Sequence, residues 1–112
     1  MKELLICFIK DSKKVEEILT GFLDMGITGA TVLEGRGMGE IITHDIPVFS
    51  GLLSLFPRGD IHTHVILSVL DQVMVGDAIA LVHEVCGDLM KPGTGMIITI
   101  PVKRVSGLAH EL

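Results

Sequence analysis

The chain has 112 residues, of which 48% are hydrophobic, and it carries a formal net charge of −5 and two cysteines. This length suits one small domain with a single core, and the negative charge argues against a nucleic-acid-binding surface, which needs clustered Lys and Arg. No apolar run is long enough to span a membrane. We therefore expect a cytoplasmic protein that neither binds nucleic acid nor inserts into a membrane. Cys7 and Cys86 lie in apolar segments, which favours reduced core thiols over a disulfide or a metal pair.

The first half of the chain predicts a strand, a helix and a second strand. Residues 2–10 form a short apolar run that is typical of a buried strand. Apolar side chains then recur at helical spacing over residues 15–23. Position 11 or 12 offers a helix cap, and Gly26 offers a helix end. Residues 28–38 predict a second strand that ends in a glycine-rich stretch.

The second half predicts a strand, a helix and a strand after a long connection. Residues 39–59 have no regular period and are too apolar for a solvated linker, and long loops of this kind are commonly functional. Residues 60–70 predict a third strand, whose side chains point alternately to its two faces. Asp71 is placed to cap a second helix that ends at Gly87, and a fourth strand is expected at residues 96–102.

The resulting order, βαββαβ, is the split βαβ arrangement of ferredoxin-like folds. We therefore predict an α+β protein with a four-stranded antiparallel sheet and two helices on one face. The other sheet face would carry Ile, Val and Leu side chains with no helix over them. Self-association would bury such a face.

Two stretches, TVLEGRGMG at residues 31–39 and GTGMIITIPV at residues 93–102, resemble the PII family of nitrogen regulatory proteins. Residues 31–39 are similar to the end of the family's second strand where it enters the T-loop, and residues 93–102 are similar to its B-loop running into the fourth strand. The resemblance implies one PII-like domain over residues 1–112, with a T-loop-like segment at about 39–59, that assembles as a homotrimer. It further implies signal transduction in nitrogen or carbon metabolism, not catalysis, with regulation of a protein partner through residues 39–59.

The same resemblance implies an adenine nucleotide, ATP, ADP or AMP, in a cleft between subunits. By position, the candidate cofactor-binding residues are Thr31, Gly37, Gly39, Gly93, Thr94 and Gly95. The family's basic residues that meet the polyphosphate are replaced here by Met96, Gly107 and Ala109. We therefore expect a weakened grip on polyphosphate. Ile41 replaces the family's glutamine for magnesium and 2-oxoglutarate, and the lack of any tyrosine excludes uridylylation of a T-loop tyrosine.

His62 and His64 support an alternative function. Two residues apart on a strand, they point to the same side and could present two imidazoles to one metal ion. The alternative is a trimeric divalent-cation-binding protein of the cation-tolerance type. Solvated or interface histidines explain the same spacing without a metal. No Ser-His-Asp order or paired carboxylates stand out, so we do not expect an enzyme.

Overall fold

The computed structural model describes residues 1–42, 62–90 and 94–107. They form a four-stranded antiparallel sheet in the order β2-β3-β1-β4, as predicted for a ferredoxin-like α+β fold. The elements in chain order are β1 (Lys2–Ile9), α1 (Ser12–Asp24), β2 (Thr31–Arg36), the short turn of helix α2 (Met38–Glu40), β3 (His62–Asp71), α3 (Gln72–Cys86) and β4 (Gly95–Val102).

The boundaries of α1 follow from local chemistry. The Asp11 side chain accepts a hydrogen bond from the Lys13 backbone N–H at 2.9 Å and caps the first turn, which confirms position 11 as the cap. Gly26, with φ 87°, follows the last turn in the left-handed region where glycine is favoured. The helix buries Val15, Ile18 and Phe22 against the sheet.

Two predicted features differ in the structure. Strand β2 is shorter than the predicted 28–38, because the Gly29 carbonyl accepts a hydrogen bond from the buried Ser68 hydroxyl and residues 38–40 curl into α2. Asp71 occupies the cap position of α3, but its side chain makes no capping bond. Instead its carboxylate pairs with the Lys2 ammonium at 2.7 Å, and this hydrogen bond and charge hold the pKa of Asp71 below its usual value.

The hydrophobic core lies between the two long helices and one face of the sheet. Alternate residues of the central strands β1 and β3 point into it, as the period of two requires. Its fully buried members of largest volume are Phe22, Leu5, Ile9, Ile18, Ile66, Val82 and Cys7.

The opposite sheet face, here called the open face, is apolar across all four strands. Strand pairing places these side chains on it: Leu4, Ile6, Phe8, Leu33, Val65, Leu67, Val69, Met96, Ile98 and Ile100. Leu33 and Met96 are each 51% exposed, and Ile100 is 46% exposed. An apolar surface of this extent is typical of an interface. None of the described helices is both long and apolar enough to cross a membrane.

Candidate functional site

One end of the sheet gathers most of the residues that the sequence motifs single out. Ile9, at the end of β1, lies between His64 of β3 and Gly95 of β4. Arg36, at the end of β2, lies opposite His62. We call this region, residues 8–10, 35–40, 62–64 and 94–96, the polar end.

The candidate cofactor-binding residues do not all lie there. Gly37, Gly39, Thr94 and Gly95 belong to the polar end, whereas Thr31 pairs with Leu67 further along the sheet. Thr31 is five residues before Arg36, about 17 Å along an extended strand. Gly93, most of the 39–59 segment and Ala109 lie outside the described residues.

Lys10 is a residue of the polar end that no sequence motif singles out. Its ammonium donates a hydrogen bond to the Thr63 hydroxyl at 3.0 Å across the β1–β3 pair. Among the described residues no carboxylate forms an ion pair with Lys10, so its positive charge has a neutral partner. Lys10 is therefore the cation at this end best placed to meet an anionic ligand.

Gly37 lies directly beside that cation. A Cβ added at Gly37 would be 3.6 Å from the Lys10 Nζ atom, an ordinary van der Waals contact. Its backbone, with φ −71° and ψ 154°, is open to any residue. Neither the backbone conformation nor the space for a Cβ therefore requires glycine at position 37.

Position 95, unlike position 37, requires glycine for structural reasons. Its φ of 147° lies in a region that favours glycine, and a Cβ there would run into the backbone carbonyl oxygen of Phe8. The close approach of β4 to β1 therefore requires glycine at position 95, whether or not an anion binds nearby.

Thr94 closes the connection between α3 and β4. Its hydroxyl donates to the Asp88 carbonyl at 3.3 Å, and the Asp88 carboxylate accepts from the Met90 backbone N–H at 2.9 Å. Asp88 therefore bonds to Met90 and to Thr94, which lie on either side of residues 91–93, outside the described part.

Arg36 and Glu40 form an ion pair that the sequence patterns did not predict. The Arg36 Nε and Nη2 atoms donate to the two Glu40 carboxylate oxygens at 2.7 and 3.1 Å. The Glu40 side chain is 13% exposed and that of Arg36 43% exposed. Charged residues four apart can form an ion pair in a helical turn. The sequence predicts a strand up to residue 38, so this pair was not expected.

His62 and His64 lie on the helix-facing side of β3, away from the open face. Arg36 lies opposite His62, and Glu34 lies opposite His64. Within the described ranges, no group of three or more His, Cys, Asp or Glu side chains is arranged to hold a metal ion. The described histidine pair therefore has no third protein ligand in this part of the chain.

The two cysteines are free thiols, as expected. Burial, with a smaller contribution from the nearby Cys86, raises the pKa of Cys7 to about 12. Burial also raises the pKa of Cys86. Both sulfurs are therefore protonated at neutral pH, the form that is a poor nucleophile and a poor metal ligand.

Comparison with known proteins gives a structural match. No protein-family model matches the sequence, and no curated protein matches it. The fold is similar to the crystal structure of Arabidopsis thaliana PII bound to citrate, with a TM-score of 0.63 and 19% sequence identity over 90% of this chain and 77% of that chain. At this identity the likeness concerns the fold. The described residues thus have the ferredoxin-like fold of a PII protein.

Proposed function

We propose that the protein is a PII-like signal-transduction protein. It binds a small anionic molecule at the polar end and regulates a protein partner of nitrogen or carbon metabolism through residues 39–59. One observation carries the proposal: on a fold similar to that of a PII protein, the Lys10 ammonium lies next to Gly37 with only a neutral hydroxyl as partner among the described residues.

The charges of the polar end bear on the kind of ligand. The Arg36 guanidinium is engaged by Glu40, and Met96 contributes no charge where the PII resemblance expects a basic residue. Lys10 then supplies the positive charge for a ligand. A carboxylate or a phosphate monoester suits this arrangement better than a triphosphate. The candidate ligands are AMP, ADP, ATP and, because the Arabidopsis protein holds it, citrate.

Calorimetric titration of these four compounds tests the ligand site. We expect at least one of them to bind and Lys10→Gln to weaken that binding about tenfold, since a hydrogen bond to a charged group contributes about 1.5 kcal/mol. Lys103→Gln is the matched control, because Lys103 is an exposed lysine that follows β4 at the end of the sheet opposite the polar end. Absence of binding at millimolar concentrations, or equal affinities of the Lys10 and Lys103 variants, would contradict the proposal.

The open face supports self-association, and we propose a homotrimer of the 112-residue PII-like domain. Burial of apolar surface contributes about 25 cal/mol per Å², and each copy offers ten apolar side chains on this face. Sedimentation equilibrium should give three times the 12.1 kDa subunit mass.

Two substitutions to glutamate separate the open face from the rest of the surface. Ile98→Glu introduces a charge on the open face and should dissociate the trimer. Val73→Glu introduces the same charge on α3. Val73 is 88% exposed, so this substitution should leave the trimer intact. A monomeric wild type, or dissociation by both substitutions alike, would refute the proposed interface.

Contact with a protein partner through residues 39–59 is supported by the composition of that segment, which is apolar for a loop. Ile41 and Ile42 begin its apolar part, and Ile41 is 38% exposed. We expect affinity capture with the wild type to retain a partner that a variant with serine at both positions loses. A partner retained equally by both proteins would place the contact elsewhere.

A further inference from the structure

The side chain of Lys10 crosses strand β3 toward strand β2. Lys10 follows the last residue of β1, and β3 lies between β1 and β2 in the sheet. Its ammonium donates a hydrogen bond to the Thr63 hydroxyl of β3 at 3.0 Å. A Cβ added at Gly37, just after β2, would lie 3.6 Å from the same Nζ atom. A charge that follows β1 in the sequence therefore lies at the end of β2 in the fold.

Thr63 is the residue that holds the ammonium in this place. It lies two residues before Val65, and residues two apart on a strand share a face, so its side chain lies on the open-face side of β3. Its pairing partner on β2 is Gly35, which has no side chain to cover the hydroxyl. Lysine has a flexible four-carbon stem, and fixing its rotamers costs conformational entropy. The hydrogen bond to Thr63 restricts that stem before any ligand arrives.

The bond to Thr63 uses only part of the donor capacity of the ammonium. An ammonium has three N–H groups, and the Thr63 hydroxyl accepts from one of them. In the part of the chain that the structure describes, no other hydrogen bond and no ion pair engages the Lys10 ammonium. Two N–H groups and the positive charge therefore remain for a ligand beside Gly37. A carboxylate or phosphate group accepts such hydrogen bonds and carries the opposite charge.

We propose that Thr63 is a positioning residue for the anion site. Its hydroxyl fixes the Lys10 ammonium beside Gly37 and thereby raises the affinity for an anion that Thr63 itself does not contact. This role rests on the proposed ligand site at Lys10, and it specifies how a flexible lysine becomes a preorganised partner for a carboxylate or phosphate group. Preorganisation of one such side chain changes a binding affinity by about fivefold.

Calorimetric titration of Thr63 variants with AMP, ADP, ATP and citrate tests this role. Thr63→Val removes the hydroxyl but keeps a β-branched side chain, which strands favour. Thr63→Ser keeps the hydroxyl. Thr99→Val is the matched control, because Thr99 lies on β4 opposite Leu5, outside the polar end. The double variant Lys10→Gln/Thr63→Val shows whether Thr63 acts through Lys10.

For the compounds that the wild type binds, we expect Thr63→Val to weaken binding about fivefold. Thr63→Ser and Thr99→Val should bind as the wild type does, and Thr63→Val should cause no further loss in the Lys10→Gln background. Three results would overturn the role of Thr63 and leave the Lys10 site in place. They are an unchanged affinity of Thr63→Val beside a weakened Lys10→Gln, a loss that serine does not rescue or that Thr99→Val shares, and a further loss in the double variant. Absence of binding by the wild type, or equal affinities of the wild type and Lys10→Gln, would overturn the role of Thr63 together with the Lys10 site.

Discussion

Gly95→Ala should be among the most damaging small substitutions in the described part of the chain. A methyl group there meets the backbone carbonyl oxygen of Phe8, which cannot move aside without disturbing the β1–β4 ladder, and it also comes within 3.4 Å of the Ile9 Cδ1 atom. The φ of 147° adds backbone strain of about 1–3 kcal/mol for a residue other than glycine. Together these effects should cost about 2–4 kcal/mol of the free energy of unfolding.

Urea unfolding followed by circular dichroism measures this cost. Gly76→Ala is the matched control, because a Cβ at this position in α3 meets nothing within 4 Å. Alanine is the better helix former, so the control should gain about 0.5–1 kcal/mol. A loss below about 1 kcal/mol for Gly95→Ala would refute the reasoning from clash and strain. If such a stable variant also lost ligand affinity, the glycine would be required by the ligand and not by strand pairing.

The remaining predictions concern buried polar groups. Ser68→Ala removes the hydroxyl that donates to the Gly29 carbonyl, and it should lower the free energy of unfolding by about 1–2 kcal/mol. An unchanged urea midpoint would contradict this role. Cys7 should resist alkylation in the folded protein, and mass mapping of the labelled sites checks this. Because its pKa is raised from 9.0 to about 12, the thiol has no effect on the pH dependence of stability below about pH 9. Between pH 9 and 12 the unfolded chain loses this proton first, so stability should fall more steeply in the wild type than in Cys7→Ala, and parallel urea midpoints would contradict the assignment.

The fold could be predicted because the relevant signals are local. A short apolar run identifies β1 and alternation of side chains identifies β3, and the cap at Asp11 with Gly26 beyond the last turn marks α1. The βαββαβ order then leaves few arrangements for the sheet.

The contacts of the polar end could not be predicted from the sequence, because they depend on the register of strand pairing. Lys10 and Thr63 are 53 residues apart, and their hydrogen bond exists only when β1 and β3 pair in the observed alignment. The Arg36–Glu40 pair was hidden because α2 replaces the predicted end of a strand. The sequence predicts Gly95 as a cofactor-binding residue, and only the structure shows that its close approach to Phe8 across the sheet also requires glycine for strand pairing.

Amide NMR during a titration with citrate and then with AMP tests the proposed ligand site most directly. We expect the larger shift changes to fall on the polar end, residues 8–10, 35–40, 62–64 and 94–96, and to be reduced in Lys10→Gln. The exposed side of α1, around Glu16 and Thr20, should remain unshifted. Shift changes concentrated on α1 or α3, or none with either compound at millimolar concentration, would contradict it.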